Sequence, residues 1–194
     1  GSGTGAIAAW EATMRLAGDG GLGTNTMRLA LSQNAPFQLL HDSWARRSRD
    51  LTTLAEPAAK QAIASIDAKV LANRKPPYSL RGGLYDALAD TDGVMFAVAN
   101  ERAQRAGRLF EETEGIDVAP AAKVVVASLV EAVEGGLVTA DEAVLLNVTG
   151  GGIDRAKQEL DIHQVQPSIV VDHNDATKER LATLLSPMAT ARRD

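Results

Sequence analysis

The stretch Gly93-Val94-Met95-Phe96-Ala97-Val98-Ala99-Asn100 decides the fold. A short, apolar, β-branched run opened by a glycine reads as a buried strand over 93–98. Asn100 is expected to cap the helix that follows, Glu101 to Glu112, which presents Ala103, Ala106, Leu109 and Phe110 on one side. A strand that feeds directly into a helix is the unit from which parallel sheets are built.

The alternation continues in both directions. Toward the C-terminus, Ala119 to Val133 reads as an apolar helix with Pro120 where a missing N–H costs nothing, ended by Gly135-Gly136. After a turn at Thr139 to Glu142, Ala143 to Val148 has the pattern of a fully buried strand. It leads through Thr149-Gly150-Gly151-Gly152 into a polar helix from Asp154 to Leu160. Ser168 to Val171 reads as a further strand and Ala176 to Leu185 as a helix.

Toward the N-terminus, Gly1-Ser2-Gly3-Thr4-Gly5 precedes a helix from Ala6 to Leu16, which ends at Asp19-Gly20-Gly21-Leu22-Gly23. Met27 to Leu31 reads as a short strand that stops at Ser32-Gln33-Asn34-Ala35-Pro36. Helical periodicity covers Phe37 to Leu54, and again Pro57 to Leu71. Asn73 to Gly83, with its paired prolines and glycines, is expected to be an ordered loop before a helix at Leu84 to Leu88. The expected class is therefore α/β: three layers, a mostly parallel sheet with helices on both faces. Residues 1–160 are expected to form one domain, and 161–194 an extension that packs on it.

Composition narrows the function. Across 194 residues, 45% are hydrophobic and only 4% aromatic, with alanine over-used, which suits helices packed closely on a sheet. A net charge of −5 with dispersed basic residues argues against a nucleic-acid partner. No apolar run approaches the ~20 residues that span a bilayer, so no membrane role is expected. With no cysteine there is no disulfide framework or thiol nucleophile, and the expected location is cytoplasmic. His41, His163 and His173 lack metal spacing and are read as structural, and no metal is expected. Trp10 and Trp44 sit on apolar helical faces and are read as core. The opening on Gly1 without an initiator methionine is expected to reflect an upstream portion removed, or a cleavage or expression junction.

Ligands of open α/β sheets collect where strand ends meet loops that open helices, and three segments fit. Gly1, Ser2, Gly3, Thr4 and Gly5 offer amides, two hydroxyls and a helix N-terminus to an anion, although a flexible glycine lead also suits them. Glu114-Gly115-Ile116-Asp117 before Ala119-Pro120-Ala121 places acids ahead of a helix, which capping alone explains in isolation. Thr149 puts a hydroxyl at a strand end before three glycines, as a plain turn would too.

In this order the three segments resemble the fold-type II pyridoxal-phosphate enzymes, over most of the chain through about Leu160. Glu114-Gly115-Ile116 and Thr149-Gly150 resemble segments of the tryptophan synthase β chain. Closer still are the cysteate synthases, themselves relatives of threonine synthases. The segments that carry this likeness are Gly1 to Gly5, Trp10-Glu11-Ala12, Ser32 to Phe37, Asn73 to Tyr78 and Leu146 to Gly152.

The resemblance implies that residues 1–160 are the C-terminal part of a large cofactor-binding domain. Gly1 to Gly5 then hold the phosphate of pyridoxal 5'-phosphate, Thr149 hydrogen-bonds its ring nitrogen, and Glu114 lies near it. Asn34, Arg74 and Arg81 are candidates for a small amino-acid substrate, with a turn for Asn34 and salt bridges for the arginines as the alternatives. The implied activity is β-replacement of the cysteate synthase kind, on O-phosphoserine with a nucleophile such as sulfite. A threonine synthase-like reaction and a non-catalytic subunit are the alternatives.

The family's Schiff-base lysine stands in a Ser-x-Lys-Asp/Asn-Arg context that this sequence lacks. None of Lys60, Lys69, Lys75, Lys123, Lys157 and Lys178 has those neighbours, so no catalytic residue is assigned in this chain. The lysine-bearing N-terminal half is expected as a separate chain or a missing segment, in a homodimer or heteromer.

Overall fold

A computed structural model describes residues 1–20, 23, 25, 27–162, 165–172 and 175–190. Among them the chain forms two strands and eight α-helices. These are α1 Thr4–Gly18, β1 Ala30–Asn34, α2 Leu39–Ala45, α3 Glu56–Ser65, α4 Leu84–Asp90, β2 Val94–Val98, α5 Asn100–Glu114, α6 Pro120–Glu134, α7 Ile153–Glu159 and α8 Lys178–Thr190. A short 3-10 helix, Lys69–Leu71, follows α3. Two compact units are resolved, Gly1–Glu159 and Leu160–Asp194; the second contains α8. His163, His173 and the turn residues Gly21 and Leu22 lie outside the described residues.

The α/β class and the parallel sheet are as the sequence reads. β1 and β2 run parallel, with Ala30 opposite Val94 and Asn34 opposite Val98. Both faces of this small sheet are covered. Leu31 and Met95 pack against a cluster of Leu40, Trp44, Tyr78, Leu84 and Leu88, joined by Ile7 and Trp10 of α1. Phe96 and Val98 point the other way, into Ala103 and Ala106 of α5 and Val124, Val126 and Ala127 of α6. A third cluster, Phe37, Leu39, Ala59 and Ile66, secures α3. Burying side chains of the larger kind contributes about 1.5–3 kcal/mol each.

Six expectations need correction. The first strand lies at Ala30–Asn34, three residues beyond Met27 to Leu31. Its polar residues face inward because distant groups meet them, although Gln33 Nε2 is left buried without a partner among the described residues. Ser32 Oγ donates to Ser128 Oγ at 2.6 Å, and Gln33 Oε1 accepts the amides of Leu40 and His41. Asn34 is accordingly the last residue of a strand, not part of the loop after it.

The helix foreseen from Phe37 to Leu54 spans only Leu39–Ala45. Ser43 Oγ donates to the Leu39 carbonyl and accepts the Thr52 amide, folding the chain back, and Arg47 sits at φ +52°, which no α-helix tolerates. Asn100 does not cap α5 but is its first residue, after Ala99. Ala143 to Val148 is neither a strand nor fully buried: Leu146 packs inward, while Leu145 is 93% exposed. An extended segment becomes a strand only beside another, and the described residues give this region only an isolated bridge between Val118 and Gly151. Ser168 to Val171 is likewise irregular, with Val170 82% exposed.

The carboxyl ends of both strands are tied by one side chain. Asn34 is 1% exposed, and its Nδ2 donates to the Val98 carbonyl at 2.9 Å and to Asn100 Oδ1 at 3.0 Å. Its Oδ1 accepts the Ala68 amide at 2.9 Å. Asn100 extends the tie, accepting the Asp67 amide at 3.1 Å and donating to the Ser65 carbonyl at 2.8 Å. Removing one partner from such a buried network leaves orphaned groups at about 1–3 kcal/mol each. Asn34→Ala is therefore expected to lower unfolding stability by at least about 2 kcal/mol in urea titrations. An effect below about 0.5 kcal/mol would show that the network is not needed.

Candidate functional site

The glycine loop at the chain's start runs directly into α1. Gly3 is the residue before α1 and lies at φ +80°, where a side chain is strained. A Cβ there would also fall 2.5 Å from Leu84 Cδ2. Ser2 Oγ and Thr4 Oγ1 are hydrogen-bonded at 2.9 Å, and the Thr4 amide reaches Ser2 Oγ at 3.4 Å. No side chain caps α1, so a 15-residue helix begins with its next first-turn amides open. The helix starts at Thr4 rather than Ala6, which draws Thr4 and Gly5 into its first turn.

The other two segments meet each other. The Ala119 amide donates to the Gly150 carbonyl at 2.9 Å and the Gly152 amide to the Asp117 carbonyl at 2.7 Å, flanking the Val118–Gly151 bridge. Gly151 has no room for a side chain: a Cβ would lie 2.4 Å from the Asp117 carbonyl oxygen. The Asp117 carboxylate accepts the amides of Ile153, Asp154 and Arg155 at 3.1, 3.2 and 3.4 Å, which caps α7. Partial desolvation pushes this carboxyl up, but the three amides outweigh it and hold it below its ordinary range. Asp117 thus fixes the glycine turn that carries Thr149. Sequence reading placed it only ahead of α6, and no local signal connects it to a helix 36 residues later.

Thr149 is exposed, and its hydroxyl has no hydrogen-bond partner among the described residues. Glu114 ends α5 and is also exposed. Gly1 lies against the Val70 carbonyl and Leu71, and both Leu71 and Leu146 pack on the cluster containing Val98 and Val124. The glycine loop and the Thr149 segment therefore border one common body of side chains. Asn34 is committed to the strand-end tie.

Arg74 pairs with Glu56 at 2.7 Å, holding that carboxyl below its usual range. Arg81 is exposed and adds a favourable charge to Asp86, whose main partner is Arg49. Lys60 and Lys157 pair with Glu56 and Asp154 on their own helices. His41 offers its backbone amide to Gln33 and its ring to Asp42. Among the described residues no group of three or more His, Cys, Asp or Glu side chains is arranged to hold a metal, and no helix is long and apolar enough to cross a membrane.

Comparison with known proteins gives a consistent set of relatives. The chain is 47% identical over 182 residues to cysteate synthase of Methanosarcina acetivorans, covering 93% of this chain and 44% of that protein. It is 49% identical over 177 residues to cysteate synthase of Methanoculleus marisnigri, covering 91% and 41%. For cysteate synthase of Methanocella arvoryzae the identity is 45% over 187 residues, covering 96% and 45%. The chain is homologous to part of cysteate synthase. It spans less than half the length of these curated relatives. No family model matches the chain.

The Asp117 cap predicts a pH response of definite sign. A carboxyl held low in the folded state contributes stability that is present above its unfolded value, about 3.9, and is lost as pH falls through the folded value. Hydrogen exchange at the Asp154 and Arg155 amides should rise in relative terms below that range, and Asp117→Ala should already show the faster exchange at neutral pH. Protection in Asp117→Ala equal to that of the unmodified chain would exclude the cap.

Proposed function

We propose that this chain supplies the phosphate loop and ring-nitrogen contact of a pyridoxal 5'-phosphate enzyme of the cysteate synthase kind. The reaction is β-replacement on O-phosphoserine with a nucleophile such as sulfite, releasing phosphate. The observation that carries this reading is the 47% identity spread over 93% of the chain. The residues fit the cofactor: the open first-turn amides of α1 and the Ser2 and Thr4 hydroxyls suit a phosphate, and an unpartnered Thr149 hydroxyl suits a ring nitrogen.

When bound, the cofactor supplies an electron sink for breaking bonds next to the substrate's α-carbon. In this reading Gly1 to Gly5 anchor and orient its phosphate, with the α1 N-terminus compensating the negative charge. Thr149 meets the ring nitrogen with a neutral hydroxyl. Unlike a carboxylate it does not hold a proton there, and the moderated sink favours elimination and replacement over transamination. The same reading assigns Glu114 a position near the ring and Arg81, which is exposed, the role of meeting a substrate anion.

The covalent lysine and the remaining pocket wall come from the N-terminal portion of the fold, in the same or a separate polypeptide. The chain here is then its C-terminal part, working in the cytoplasm within a homodimer or heteromer.

The test is reconstitution. The 194 residues alone, given pyridoxal phosphate, O-phosphoserine and sulfite, should show no turnover, and adding the lysine-bearing remainder should restore both turnover and the cofactor's visible absorbance. In the restored enzyme Thr149→Val should shift that absorbance and reduce kcat by roughly tenfold or more. Robust turnover by this chain alone, or borohydride trapping of cofactor on any of its six lysines, would overturn the reading.

A further inference from the structure

A cleft of about 530 Å³ opens beside α5, between the Ser65–Lys69 segment and the start of α6. None of the residues placed above at the phosphate, the ring nitrogen or the substrate lines it. Its wall is held by the Asn34–Asn100 network, which fixes Ser65, Asp67 and Ala68 to the carboxyl ends of the two parallel strands. In open α/β sheets this is the edge at which ligands are bound. The volume falls within the range of small-molecule sites.

The charges around the cleft make a definite pattern. Lys69 and Lys123 line it, and neither pairs with an acid among the described residues. Asp67 lines it too. One of its oxygens, Oδ2, accepts Gln104 Nε2 at 2.8 Å, which orients the carboxylate and leaves Oδ1 without a partner. Gly107 leaves room for the Lys123 stem along α5, since a Cβ at 107 would fall 2.6 Å from the lysine's Cδ. The cleft is thus lined by two lysines and one half-used carboxylate.

Two positive groups and one negative group complement a ligand with two acids and one ammonium. We infer that the cleft binds an acidic α-amino acid: Lys69 and Lys123 take its two acidic groups and Asp67 takes its ammonium. The inference does not depend on the cofactor reading, since it uses other residues and is tested without cofactor.

The experiment is calorimetric titration of the 194-residue chain, free of pyridoxal phosphate, with L-aspartate and with L-cysteate. Saturable binding of at least one is expected. Succinate, which lacks the ammonium, and L-alanine, which lacks the second acid, should bind about tenfold or more weakly, as expected for loss of one charge-assisted hydrogen bond. Lys69→Met and Lys123→Met should each weaken binding by about tenfold, and Asp67→Asn should abolish the preference for L-aspartate over succinate. Circular dichroism establishes that the variants are folded. In the unmodified chain, amide shifts at Lys69, Gln104 and Lys123 on adding ligand give a readout that needs no variant. Absence of saturable binding, equal affinity for succinate, or indifference to both lysine changes would each overturn the inference.

Discussion

One primary amide holds the open end of this fold together. A two-stranded parallel sheet has little cohesion of its own, since each strand leaves a full row of backbone groups without a partner in the sheet. Here Asn34 spans the gap at the carboxyl end, joining β1 to the last carbonyl of β2 and to the Ala68 amide. Asn100 doubles the link at the entrance to α5. In a dry interior such bonds are strong while every member is satisfied, and costly once one is missing. The position of the Ser65–Ala68 segment follows from this pair of amides rather than from apolar burial alone.

A second pin works at the far end of α5. The helix ends at Glu114, the chain turns, and Asp117 is caught between its own carbonyl, which receives Gly152, and its carboxylate, which receives the start of α7. Only a glycine at 151 lets the two backbones approach so closely. The arrangement needs no buried charge and little apolar surface. It is a framework of directional bonds, suited to presenting the Thr149 hydroxyl in an otherwise irregular stretch.

What the sequence disclosed depended on how local each signal was. The strand at Val94–Val98 was readable because its apolar residues are contiguous and bounded by Gly93 and Asn100. The helices Pro120–Glu134 and Thr4–Gly18 were readable because their punctuation lies beside them. β1 was misplaced because Ser32, Gln33 and Asn34 look like loop residues until their distant partners are known. The opposite error occurred at Ala143–Val148, where an apolar pattern promised a strand but sheet formation depends on a neighbour that local sequence cannot report. The meeting of Ile116–Ala119 with Gly150–Gly152 was invisible for the same reason, although both segments had been singled out separately. Asp117 carries the contact between them, and its role is set 36 positions away.

The exposed run around Leu145 bears on how this polypeptide behaves in a test tube. Val144, Leu145 and Val148 offer water an uncharged, β-branched and leucine-rich ribbon with free backbone groups, the composition from which intermolecular strands are recruited. Collisions between copies grow with the square of concentration, so such a ribbon tells more as the solution becomes more concentrated. Handling conditions that crowd the molecules favour cross-β association over the native fold. A single lysine or glutamate in place of Leu145 is the gatekeeper substitution with the least to disturb inside the fold.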